Sequence, residues 1–105
     1  IKNLAKNAKN KGIIEAVYLF GGSIHSNALS VKNASHAQKI ISTKIRNYYS
    51  PYDEVLHVVD DWNWVNTPIG YKGARGKTIP KYSQTMVKPK NHRFASYAAV
   101  LRSFP

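Results

Sequence analysis

Eight consecutive residues, Ile13 to Phe20 (IIEAVYLF), limit the fold more than anything else in the chain, because they are apolar at nearly every position and closed off by Gly12 before and Gly21-Gly22 after. A run this short, rich in β-branched and aromatic residues and lacking polar alternation, reads as a strand with apolar side chains on both faces. Strands of that kind belong to parallel sheets covered on both sides. The flanking segments support this. Ile1 to Asn10 sets Ile1, Leu4, Ala5 and Ala8 at helical spacing opposite lysines and stops at Asn10-Lys11-Gly12. Ser26 to Ser35 is loop-like, and Ala34 to Thr43 carries Ala37, Ile40 and Ile41 on one helical face.

A second strand is expected over Lys44 to Tyr49, ended by Ser50-Pro51, since proline cannot donate to a ladder. Glu54 to Val59 reads as the first turns of a helix with Asp53 at its N-cap. Residues 62 to 81 contain Pro68, Gly70, Gly73, Gly76 and Pro80 and are expected to be a long loop excursion, which is unusual in a small domain and points to function. Thr85 to Val87 offers a third strand, and Phe94 to Phe104 a last helix. Helices alternating with strands imply one α/β domain over residues 1 to 105, a partial and mostly parallel sheet with flanking helices.

Open α/β sheets gather their sites beyond the carboxyl ends of their strands. Three segments fall there: AVYLFGGSI (Ala16 to Ile24), NYYSPYDEVL (Asn47 to Leu56) and NHRFASY (Asn91 to Tyr97). Together they resemble the C-terminal half of the α/β-hydrolase fold, in particular lipase-like and uncharacterised, archaeal-type members. There a "VNxYSPxDxVL" strand brings the acid of a catalytic triad and a later "NHxxY" its histidine. The resemblance implies Asp53 as the acid and His92 as the base, with Gly21, Gly22, Tyr52 and Asn91 lining the site and an ester or similar acyl substrate. A Ser-His-Asp triad uses its carboxylate to fix the imidazole tautomer, while the second ring nitrogen takes the serine proton. Read without the resemblance, Asp53 is a helix cap and His92 a loop histidine.

The nucleophile is the weak member. The fold presents it on a G-x-S-x-G turn between strand and helix, in the order Ser, Asp, His. Ser23 has the right order, but His25 stands where a small glycine is needed and Asn27 to Asn33 does not read as a helix. The elbow and the earlier strands are therefore expected upstream of Ile1, a first residue that suggests a processed chain or a missing N-terminal part. A complementary N-terminal half or a homo-oligomer would then complete the sheet, and a noncatalytic, sheet-completing role stays open.

Sixteen Lys and Arg against five Asp and Glu give a formal charge of +11. That attracts polyanions and motivates a competing reading, a nucleic-acid binder using Lys72, Arg75, Lys77, Lys81, Lys88, Lys90 and Arg93 among aromatic residues. No nucleic-acid-binding motif accompanies the charge. There is no cysteine, and the histidines lack metal-ligand spacing, His57 with Asp60 or Asp61 being the nearest approach; no metal or cofactor is expected. No apolar run is long enough to span a bilayer and no signal-peptide pattern opens the chain, so an intracellular, cytoplasmic protein is the expectation.

Overall fold

Three strands make one sheet in the order β1 (Ile14–Phe20), β2 (Ile41–Tyr49), β3 (Tyr82–Met86), and both pairings are parallel. The computed structural model describes residues 6–62 and 67–101, with the backbone alone for 59–62. Helices α1 (Ser35–Ile40), α2 (Glu54–Trp62), α3 (Ile69–Lys72) and α4 (Phe94–Ala99) follow or interrupt the crossovers. This is the open α/β arrangement that the alternation of elements predicts.

The side-chain period of two divides β1 between two cores. Val17 and Leu19 join Leu29, Ala34, Ala37, Ile41, Ile45, Ile69 and Ile79 on one face, with α1 contributing Ala37. Tyr18 and Phe20 join Tyr48, Val87, Tyr97 and Leu101 on the other, with α4 contributing Tyr97. The apolar run does serve both faces. Ile14 and Ala16 to Phe20 are nevertheless only partly buried, and Ile13 and Glu15 are exposed, because β1 lies at the edge of the sheet rather than in its middle.

Several boundaries differ from the expectation. The helix expected to reach Thr43 stops at Ile40, and β2 starts at Ile41 rather than Lys44. Ile41 pairs with Ile14, so the neighbouring strand converts a helix-compatible stretch into ladder. Likewise β3 begins at Tyr82, because Ile45 to Tyr49 supplies partners for Tyr82 to Met86. The helix after Asp53 runs on to Trp62, and the excursion contains the short helix α3. Of the expected N-terminal helix only residues 6–10 are described, and they form a 3-10 turn, Ala8–Asn10, in which Lys9 N donates to the side chain of Asn7. The last helix closes at Ala99, where Val100 N turns back to Tyr97 O; residues 102–105 of the expected helix lie outside the described ones.

Candidate functional site

Asp53 is delivered by a turn that follows β2. Ser50 is fully buried, donates its N–H to Gly70 O at 2.8 Å and accepts Asp53 N at 3.3 Å. Its hydroxyl oxygen accepts Tyr52 N at 3.1 Å. Pro51 and the bonded Ser50 thus fix where the chain enters α2, and Asp53 arrives 2% exposed. Its Oδ1 accepts Leu56 N at 3.1 Å, the contact of a helix N-cap. Its Oδ2 faces the other way and meets His92 Nδ1 at 2.5 Å. Capping and histidine contact therefore belong to different oxygens of one carboxylate.

His92 comes from the segment between β3 and α4. Asn91 organises that segment, accepting Arg93 N at 3.1 Å and Ser96 Oγ at 2.6 Å on its Oδ1. The imidazole stays one-third exposed while its partner carboxylate is wholly enclosed. A third group completes the cluster, since Tyr97 Oη donates to the same Asp53 Oδ2 at 2.5 Å. Burial pushes the Asp53 carboxyl up, but the hydrogen bonds from Tyr97, His92 and Leu56 outweigh it and hold the group below its usual range. Ionised Asp53 can accept all three donors, and a ring N–H at Nδ1 leaves Nε2 of His92 as the basic nitrogen.

Gly21 closes the cluster from the end of β1. It has φ +56°, and a Cβ there would lie 2.8 Å from Tyr97 Oη and 2.9 Å from His92 Cε1. Only a residue without a side chain lets β1 end against these two groups. The chain from Gly22 to Ser26 is then stitched to the excursion: Gly70 N donates to Gly22 O and Ile69 N to Ile24 O, each at 2.8 Å, and Ser26 N to Thr67 O at 3.0 Å. Gly70 is also constrained, as a Cβ there would fall 2.2 Å from Gly22 N. The glycine-rich excursion is thus a brace between β1 and β2.

The expected site residues divide. Gly21, Asp53 and His92 meet, Gly22 lies one residue away, and Tyr52 and Asn91 line a cleft of about 160 Å³ beside His92 together with Glu54, Val55 and Lys90. Ser23 is exposed and has no hydrogen bond to His92 among the described residues, and the next helix after it is α1, starting at Ser35. Tyr97 was legible only as part of the apolar stripe of the last helix; a hydroxyl on that stripe, needing a buried partner, was the available signal.

Of the basic residues, Lys81 lies at the start of the strands, away from Lys88 near their carboxyl ends. Lys81 Nζ reaches Gln38 O at 2.7 Å and also Ile41 O, at the opposite end of the sheet. Lys72 lies over the Tyr71 ring and, with Arg75, borders a cleft next to Ser26 and Thr67. Lys77 O accepts Val31 N. Lys88 sits 5.1 Å over the Tyr52 ring, and Lys90 and Arg93 flank His92 in the chain. Among the described residues, no group of three or more His, Asp or Glu could hold a metal ion, and no helix is long and apolar enough to cross a membrane. Comparisons with family models, with curated proteins and with solved structures find no match to this chain.

Proposed function

We propose that this chain supplies the acid and the base of a Ser-His-Asp triad for ester or similar acyl hydrolysis, with the nucleophile carried on a strand-turn-helix elbow outside residues 1 to 105. The observation that carries the reading is the 2.5 Å contact between Asp53 Oδ2 and His92 Nδ1, made across 39 residues beyond the carboxyl ends of two adjacent parallel strands. A buried, ionised carboxylate on Nδ1 leaves Nε2 to take a proton from an attacking hydroxyl and to return it to the leaving group. Asp53 orients, His92 transfers the proton, and a serine from the complementary segment attacks. The edge position of β1 gives that segment a strand to pair with, as the resemblance to the C-terminal half of the α/β-hydrolase fold implies.

The experiment compares the chain alone with a longer chain in which a segment bearing such an elbow is joined ahead of Ile1. Residues 1 to 105 by themselves are expected to leave p-nitrophenyl acetate at the rate exposed imidazole gives. The longer chain is expected to turn it over and to lose that turnover in both Asp53→Asn and His92→Ala, because members of one catalytic unit each remove most of the effect. Turnover by the longer chain that is indifferent to both substitutions would refute the reading. Turnover by residues 1 to 105 alone, lost equally in Ser23→Ala and His92→Ala, would move the nucleophile to Ser23.

A further inference from the structure

The Asp53 carboxylate is loaded asymmetrically. Oδ1 carries one backbone donor, Leu56 N, whereas Oδ2 carries both His92 Nδ1 and Tyr97 Oη, each at 2.5 Å. A phenol facing a carboxylate oxygen acts as the donor, and 2.5 Å is at the short end of the range for an O–H bonded to an ionised oxygen. Tyr97 is 1% exposed, so water is not an alternative partner for its hydroxyl. Its ring is held edge-on to Phe20, with centroids 6.3 Å apart, and edge-on to His92 at 6.5 Å. Burial, and then the adjoining carboxylate, keep the phenol protonated far above its ordinary range.

We propose that Tyr97 is a positioning residue: its hydroxyl pins the Asp53 oxygen that orients His92, and by sharing that oxygen it limits how strongly Nδ1 is held. The consequence for turnover rests on the acid–base reading above, while the arrangement of the three side chains stands without it. Two donors on one oxygen compete, since each draws electron density the other would use. Removing Tyr97 Oη should therefore leave the carboxylate less stabilised as an anion and its remaining bond to His92 shorter. A tyrosine kept only to fill the core would have neither effect, because phenylalanine keeps the ring and the contact with Phe20. Placement supports selection of this hydroxyl: Gly21 lacks the Cβ that would lie 2.8 Å from it, so the end of β1 makes room for Tyr97 Oη and His92 together.

The test is nuclear magnetic resonance on Tyr97→Phe, following the Asp53 carboxyl carbon through an acid titration and the His92 Nδ1 proton at neutral pH. Glu54 and Lys90 line the cleft on the exposed side of His92 and are unchanged in the variant, so they do not contribute to the difference. The Asp53 midpoint is expected to rise by about one pH unit, the equivalent of one hydrogen bond to a charged group. The His92 Nδ1 proton is expected to move further downfield. If Tyr97→Phe does not fold, global incorporation of 3-fluorotyrosine makes the phenol a stronger donor at nearly constant shape, and the Asp53 midpoint should then fall. A midpoint and a proton resonance that stay in place under either change overturn the proposal and leave the acid–base reading intact. A wild-type protein without any downfield His92 Nδ1 resonance overturns both.

Discussion

The two ends of the sheet share bonds to backbone carbonyls, which at the carboxyl end include Asn47 Nδ2 to Ile69 O and the Gly22–Gly70 stitching, but they differ in what is added to them. At the end where the strands start, side chains reach backbone carbonyls: Lys81 Nζ to Gln38 O and Ile41 O, Thr43 Oγ1 to Glu15 O at 2.5 Å, and Ser42 Oγ to the same carbonyl at 3.3 Å. At the carboxyl end, side chain meets side chain, and Asp53, His92 and Tyr97 converge on a single oxygen. A backbone carbonyl is present whatever the sequence, so the first kind of contact asks only for some donor within reach. The second asks for three particular chemical groups at once, brought from two parts of the chain 39 and 44 residues apart. Both ends are braced; the carboxyl end is also specified.

The largest expected effect concerns the brace by which the excursion joins the ends of β1 and β2 beside the Asp53 cluster. Gly70→Ala would place a Cβ against the backbone of Gly21 and Gly22, atoms that cannot rotate away. A loss of at least about 3 kcal/mol is expected from urea denaturation, at the upper end of what overpacking costs. Near-wild-type stability would mean that the Gly22–Gly70 stitching is not a structural requirement, and the contrast between the ends would weaken.

Next comes Asp53→Ala, which removes a helix cap worth about 1 kcal/mol and leaves the buried Tyr97 hydroxyl without its acceptor for about 1 kcal/mol more. A total near 2 kcal/mol is expected at neutral pH. The pH dependence has a definite sign. The folded carboxyl lies below its unfolded value of about 3.9, so its contribution is complete above roughly pH 4 and is lost as the pH falls through the folded value. The gap between wild type and variant should therefore close on acidification. A gap that widens in acid would show that Asp53 is held as the neutral acid.

The smallest effect sharpens the comparison from the other side. Lys81→Met keeps the aliphatic stem and removes the charged donor to two carbonyls, in a partly buried place where solvent can substitute. About 1 kcal/mol is expected, with no change in the His92 Nδ1 resonance. A shift at His92 would show that the two ends are coupled through β2 and β3.

The chain's pattern already carried much of this. Apolar residues on both sides of Ile13 to Phe20 required a covered sheet, Ser50-Pro51 ended the second strand, and Asp53 ahead of Glu54, Val55 and Leu56 marked a helix start. These are local signals, set by side-chain periodicity and by what proline and a capping carboxylate do to the few residues around them. The resemblance singled out Asp53 and His92 as a pair, and the fold brings them into contact. Strand limits were not local: β2 begins at Ile41 and β3 at Tyr82 because a neighbouring strand offers ladder partners there, which no window of sequence can contain. The same holds for Lys81 and Lys88, seven residues apart in sequence but set beyond opposite ends of β3. Tertiary structure alone decided that Oδ1 of Asp53 caps α2 while Oδ2 meets both His92 and Tyr97, and that Gly21 had to be bare beside them. The physical reason is that a carboxylate's two oxygens are equivalent in sequence and become different only when the fold surrounds each with its own donors.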